Sequence, residues 1–289
     1  MRTPVTTFAR RLAPLLIAAL LAISLPIAAQ QAPDAERRPV VVQGAMPVEV
    51  EKLVARLDDM MLEQVGGWRF WSGRLDGYPV VVSRTMKGVA NASAATALAA
   101  ERYRPIAIIN QGTAGGHDPS LRLYDIVIGT SSVSLSAFKS PHRAKGTGSN
   151  PLEWKVLDLM ASEGSAGNDP NAIRVARFAA DASLLAAAKS VQGKYTRGRV
   201  VLGVIGSSDI WHEELDLIAR FRAEFGTSVE DMETAAVAQV AGVMKIPFLG
   251  VRVVSDNITN GDPYDRKTGE ACQEYVFEVV KAYVATLKR

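Results

Sequence analysis

Cysteine and histidine are scarce in this chain of 289 residues, which has one of the first and three of the second. A single thiol, Cys272, excludes an intramolecular disulfide. Stability must then come from a full hydrophobic core, which a chain of this length can build. His117, His142 and His212 lie far apart with no ligand spacing, so no metal site is expected. Nucleotide-cofactor signatures are missing too. The Gly-rich stretch at 111–116, QGTAGG, is neither GxGxxG nor GxxxxGK[ST], so neither a dinucleotide nor ATP is implied and no cofactor is expected. It reads either as a tight turn after a strand or as a backbone wall that a small ligand approaches closely. There is no GxSxG, and Cys272 sits in a helical stretch with no histidine nearby, which removes the usual nucleophile arrangements. Solenoid repeats and low-complexity runs are absent as well.

An excess of charge is also lacking. The chain has 33 Lys+Arg against 30 Asp+Glu, and the surplus equals Arg2, Arg10 and Arg11 at the N-terminus. Without that segment the charges balance, so nothing suggests a nucleic-acid or membrane partner.

Those arginines precede an apolar run at 12–26 and the small residues Ile27-Ala28-Ala29. The pattern predicts a secretory signal peptide over 1–29. An uncleaved anchor is the rival, because 12–29 approaches spanning length. Two internal prolines and the small-residue end favour cleavage, hence a secreted protein, in a bacterium a periplasmic one. The polar stretch at 30–38 reads as a flexible leader, and 39–289 as one domain. No other apolar run is long enough to cross a membrane.

Strands are expected at 39–43, 68–72, 78–83, 105–110, 124–133, 199–205 and 248–254, the second and third joined by an Asp-Gly hairpin turn. Helices are expected at 47–61, 91–102, 152–161, 180–190, 212–225 and 271–287, the one at 212–225 burying Leu215, Ile218 and Phe225. Another helix should follow residue 229, with Glu230, Asp231 and Glu233 in its first turn. The segment 134–150 is the least structured. Strands alternating with helices indicate an α/β fold, with a parallel or mixed sheet covered on both faces.

Three acids stand out at the ends of these elements. Glu49 follows the first strand. Glu233 sits among Met232, Thr234, Ala235 and Ala236 at a helix start. Asp256 ends the apolar run VRVVS. Each has a bland alternative: a dipole partner for the first two, a turn cap for the third. Acids at a helix start and a strand's carboxyl end often face one crevice in α/β folds. Without a metal set or a nucleophile triad, they suggest general acid–base chemistry on a neutral ligand.

The segments GAMPVEV (44–50), INQGTAGG followed by DPSLRLYDIVI (109–128), and DMETAAVAQVAGVMKIPFLGVRVVSD (231–256) resemble three motifs of the 5′-methylthioadenosine/S-adenosylhomocysteine nucleosidases. Those enzymes fall within the wider nucleoside phosphorylase superfamily. The resemblance implies a three-layer α/β/α fold with a central mixed sheet, phosphorylase/hydrolase-like. It implies hydrolysis of a purine nucleoside, adenine being favoured, and a homodimer. Carried over by position, it makes Asp256 the acid that protonates the leaving base at N7 and Glu49 the group that positions and deprotonates water. Glu233 would hold the ribose hydroxyls with Met232 packed on the sugar, and Trp211, or alternatively Ile210, would stack on the base. Thr85, Gly115 and Ser255 complete the implied substrate-binding set. The chain departs from the family pattern at residues 84–88 (RTMKG), in a longer polar segment around His142, and in an extra acid in VEDME. Two alternatives stay open: a phosphorylase using Arg84 as an anion site, and a non-catalytic binding or storage protein of the same fold.

Overall fold

The computed structural model describes residues 37–157 and 177–287. The expected signal peptide at 1–29, residues 30–36 of the expected leader and the later part of the expected 152–161 helix lie outside the described residues. Among the described residues, no helix is long and apolar enough to cross a membrane.

The chain opens with β1 (Val40–Gly44), a 3₁₀ turn at Pro47–Glu49 and a short α1 (Glu51–Val54). A meander follows: β2 (Asp58–Val65), β3 (Trp68–Leu75) and β4 (Tyr78–Arg84). The last two meet at Asp76-Gly77, both with positive φ, as a tight hairpin turn requires. Next come α2 (Val89–Tyr103), β5 (Ala107–Gly116), β6 (Ile126–Ser134) and the small pair β7 (Phe138–Lys139) and β8 (Lys155–Val156). Then follow β9 (Phe178–Ala179), α3 (Ala182–Ser190), β10 (Val200–Ser207), α4 (Leu215–Phe225) and β11 (Thr227–Asp231). The chain ends with α5 (Thr234–Val243), β12 (Phe248–Asp256) and α6 (Thr268–Leu287).

Among the described residues ten strands form one mixed sheet, in the order β11-β10-β6-β12-β5-β1-β4-β3-β2 with β9 beside β6. Period-two alternation sorts β1 between two layers. Val40 and Val42 join a core with Leu53 of α1, Leu184 of α3 and Val276 of α6. Val41 turns to the other face, against Ala92 of α2 and Val237 of α5. That is the three-layer arrangement the alternating pattern implies. The sheet also curls on itself, because β11 pairs with β10 and again with the far end of β5. Ala114, Val127, Ile205, Val229 and Val254, one from each of five strands, pack together inside the curl.

Several elements depart from expectation. The helix at 47–61 breaks after Val54, and Asp58–Val65 forms an edge strand on β3. Its Met60-Met61-Leu62 run stays exposed; strand pairing decides the conformation there, not helical periodicity. Residues 111–116 are no loop but the second half of β5, because their backbone groups pair with β12 and β11. The expected 152–161 helix is a 3₁₀ turn at Pro151–Glu153 followed by β8. The helix at 212–225 starts only at Leu215, and it buries Leu217, Ile218, Phe221 and Phe225, leaving Leu215 exposed. Glu230 and Asp231 lie in β11, and only Glu233 sits at the start of a helix, as the residue before Thr234.

Candidate active site

A cleft enclosing about 810 Å³, counting its open mouth, lies where β1, β5, β10, β11 and β12 end. Strand ends are where a fold of this kind can present side chains to a ligand without breaking its sheet. Glu49, Met232, Glu233 and Asp256 line this cleft together, as do Gly115, Ile210, Trp211 and Ser255. Thr85 is the exception among the residues singled out from the sequence. It is fully buried, and its hydroxyl donates to the Met86 carbonyl at 3.0 Å.

Glu49 sits at the end of the 3₁₀ turn that Pro47 initiates, 3% exposed. The backbone N–H groups of Ala45 and Met46 donate to Oε2 at 2.8 and 3.0 Å. The backbone N–H and hydroxyl of Thr113 donate to Oε1 at 2.8 and 3.0 Å. Three of these donors are fixed backbone, and the Thr113 hydroxyl is the one that can rotate and give its place to a water. Gly112 makes the approach possible, since a Cβ there would lie 2.6 Å from Oε1.

Glu233 accepts from the Gly88 N–H at 2.9 Å through Oε1, while Oε2 lies 3.7 Å from Arg252. Arg252 of β12 is fully buried and is already engaged. Its Nε donates to Asp231 and its Nη2 to Asn110, both at 2.5 Å. Two carboxylates thus share one guanidinium. Burial pushes the Glu233 carboxyl up to about 8; Asp231 adds to the rise and Arg252 opposes it. The Gly88 backbone, at φ +97°, belongs to a region side chains rarely adopt, and it aims the N–H at Glu233.

Asp256 is half-buried at the end of β12. Burial holds its carboxyl above the ordinary range, against hydrogen bonds from Ser255 and the Trp211 indole, and the Glu213 and Glu230 charges add to the rise. The Ser255 hydroxyl donates at 2.8 Å. Trp211 is 58% exposed and meets the Tyr264 ring edge-on at 5.6 Å between centroids. These two aromatics and Ile258 line the cleft.

Three cleft residues were given no role in the site from the sequence. His117, at the end of β5, and His212, after β10, converge on Glu230 of β11. Burial alone would raise Glu230, but the two imidazoles, His117 at 3.6 Å and His212 within hydrogen-bond distance, more than offset it and hold the carboxyl below its usual range. The extra acid in VEDME was the signal for this cluster. The histidines carried none, being far from each other in the chain. Cys272 is fully buried, its thiol pushed up to about 12 by burial, so it supplies no thiolate. Among the described residues no group of His, Cys, Asp or Glu has metal-binding geometry.

Arginine and lysine are nearly missing from the cleft. Among its described lining residues only Lys87 is one of the two. Arg84, the anion site considered for a phosphorylase, does not line it.

Comparison with known proteins extends this picture. The family model described as the phosphorylase superfamily matches residues 39–285. The 5′-methylthioadenosine/S-adenosylhomocysteine nucleosidase of Shewanella loihica is 32% identical over 223 residues, 77% of this chain and 87% of that one. Its counterpart from a Marinomonas species is 33% identical over 214 residues, 74% and 83% of the two chains. Among solved structures, the Neisseria meningitidis nucleosidase in complex with methylthio-immucillin-A superposes with a TM-score of 0.69 at 27% identity, covering 85% of this chain and all (100%) of that one. The Colwellia psychrerythraea nucleosidase in complex with adenine gives 0.69 at 26% identity, covering 85% and 96%. By sequence and by fold, the chain belongs to the 5′-methylthioadenosine/S-adenosylhomocysteine nucleosidase family of the phosphorylase superfamily.

Proposed function

We propose that this protein hydrolyses the N-glycosidic bond of a purine nucleoside, releasing the free base and a ribose derivative. The observation that carries this reading is the convergence of Glu49, Glu233 and Asp256, from three separate elements, on one cleft. Breaking a ribosyl C–N bond leaves an electron-rich base and an oxocarbenium-like sugar, so the base needs a proton and the sugar needs water. Asp256, with its raised pKa, is the acid that protonates N7. Glu49 takes the proton of a water held between Oε1 and the Thr113 hydroxyl. Glu233 binds the ribose hydroxyls, and those bonds strengthen as positive charge develops on the ring. Met232 packs on the sugar and Trp211 stacks on the base.

The charge of the cleft favours water over phosphate as the nucleophile. Arg252 is engaged by two carboxylates and a carbonyl, and a phosphate dianion beside Glu49 would meet like charge. An aspartate can accept from a 6-amino group while donating to N7, which favours adenine. 5′-Methylthioadenosine, S-adenosylhomocysteine and adenosine are therefore the first substrates to try. A base-release assay over adenosine, inosine, guanosine and 5′-thio nucleosides tests the reading. Binding without release of any base would mark a non-catalytic member of the fold.

Two further parts of this proposal concern where the protein works and in what form. The N-terminal pattern of arginines, apolar run and small residues supports export, in a bacterium to the periplasm; N-terminal sequencing of the mature protein tests it. A homodimer is supported by the exposed apolar side chains of Ile210 and Ile258 at the cleft and of Met86, next to the lining residue Lys87, which a second copy would cover. Sedimentation of the purified protein decides this.

A further inference from the structure

Helix α2 begins without a cap of its own. Its N-cap position is Gly88, which has no side chain to offer, while the first N–H groups of any helix need acceptors. The loop that leads into it is bent unfavourably as well. Met86 has φ +65° and Gly88 φ +97°, two residues of positive φ within three positions. Such a turn persists only where its surroundings hold it. Its placement matters, because the Gly88 N–H is the donor that Glu233 Oε1 accepts at 2.9 Å.

Two carboxylates supply what the helix lacks. Glu233 takes the Gly88 N–H, and Asp209 takes the next one, from Val89, at 2.8 Å through Oδ1. Asp209 lies in the loop after β10, 120 residues from Val89 in sequence, and does not itself line the cleft. That loop is tied down. The Ser208 N–H donates to the Asp231 carbonyl at 3.0 Å. The Ser208 hydroxyl donates to the Ile210 carbonyl at 2.9 Å and accepts from the Ile210 N–H at 3.3 Å. Behind it, the Ser207 hydroxyl accepts from the Ala235 N–H at 2.9 Å, in the first turn of α5. The contacts close a ring: Gly88 to Glu233, Val89 to Asp209, and Ser208 to Asp231, two residues before Glu233. The acids that catch successive N–H groups of α2 therefore stand on one frame, built from the ends of β10 and β11. The fit is close, since a Cβ on Gly88 would stand 3.0 Å from Asp209 Oδ1.

We propose that Asp209 is a positioning residue for the sugar. By capping α2 from another element it keeps the Gly88 N–H on Glu233, and so fixes the carboxylate that the sugar meets. This rests on the nucleosidase reading, in which Glu233 holds the ribose hydroxyls. The loop that carries Asp209 also brings Ile210 and Trp211 to the cleft. One hydrogen bond thus joins the part of the cleft that takes the base to the part that takes the sugar. An acid at a helix start is also favoured by the helix dipole, but the restraint needs only the acceptor.

The test compares adenosine with 2′,3′-dideoxyadenosine, which lacks the hydroxyls assigned to Glu233. Losing a helix cap costs a factor of about five. In Asp209→Ala, kcat/KM for adenosine should fall by about that factor and that for the dideoxy nucleoside should be unchanged, so their ratio drops about fivefold. Asp209→Asn keeps an acceptor for Val89 and should recover most of the ratio. A general loosening of the fold would cut both substrates alike and leave the ratio where it was. An unchanged ratio in Asp209→Ala, or an equal drop in Asp209→Asn, overturns the proposal. The ratio of the two dissociation constants, measured by calorimetry, reads the same contact without turnover. If the wild type releases base from neither nucleoside, the nucleosidase reading fails, and the ratio of dissociation constants still decides the role of Asp209.

Discussion

A single methyl group at Gly112 should disable the catalytic centre. The Cβ of Gly112→Ala would stand 2.6 Å from Glu49 Oε1, 2.8 Å from its Cδ and 3.1 Å from Oε2. A carbon-to-oxygen contact needs roughly 3.3 Å, so the carboxylate must retreat by about 0.7 Å. It cannot do so and keep its four donors at 2.8 to 3.0 Å, because three of them are backbone N–H groups. A displacement of about 1 Å in a catalytic group costs on the order of 100-fold, and general-base catalysis is worth about 10² to 10⁴. Turnover in Gly112→Ala should therefore fall by about 100-fold or more. KM should move far less, because Glu49 does not hold the base. The overpacking should also cost about 1–3 kcal/mol of stability, readable as a lower Tm. Adding the substitution to Glu49→Gln separates the two effects. If Gly112 acts through Glu49, the extra loss in that background is small. Near wild-type turnover in Gly112→Ala, or a full additional loss on top of Glu49→Gln, would refute the reasoning.

Other substitutions probe the remaining parts. Asp256→Asn cannot give a proton to the base, so turnover should fall by about 100-fold or more while nucleoside binding survives. Because the acid form is the active one and its pKa is raised, the falling limb of the wild-type kcat profile should lie above the ordinary carboxylate range, at the Asp256 transition. Trp211→Phe keeps a stacking ring but loses the hydrogen bond that lowers Asp256. That falling limb should then move to higher pH, and an unmoved limb would count against the contact. Arg252→Met leaves Asp231 and Glu233 without their cation, and denaturant unfolding should show a loss of about 3–5 kcal/mol.

How much of this was legible in the sequence depends on how local each feature is. The β-branched runs VVVQ, PIAII and PFLGVRVV carry their own signal, and the strands lie close to where those runs do. So do the acids that end them. Glu49 and Asp256 follow buried strands, and a strand's end is where a carboxylate can meet both core and cleft. Elements set by long-range pairing were not legible. Residues 58–65 form a strand only because β3 lies beside them. Residues 111–116 look like a glycine turn, yet extended backbone there is held by β12 and β11, and Glu49, Asp256 and Asn257 leave little room for any Cβ. Glu230 and Asp231 read as helix-start acids. Sheet register put them in β11 instead, one against two histidines and the other against Arg252. The His117–Glu230–His212 cluster was invisible because only the curl of the sheet brings its parts together. Thr85 shows the converse: the resemblance placed it in the substrate-binding set although 84–88 departs from the family pattern, and its hydroxyl points to backbone carbonyls instead.

The central claim is that water, activated at Glu49, takes the place of the purine on the ribose. Incubating the protein with adenosine or 5′-methylthioadenosine in ¹⁸O-labelled water, with and without phosphate, tests it directly by mass spectrometry of the sugar. The account predicts one labelled oxygen at the anomeric position and a rate of base release indifferent to phosphate. An unlabelled sugar phosphate, formed only when phosphate is present, would contradict it.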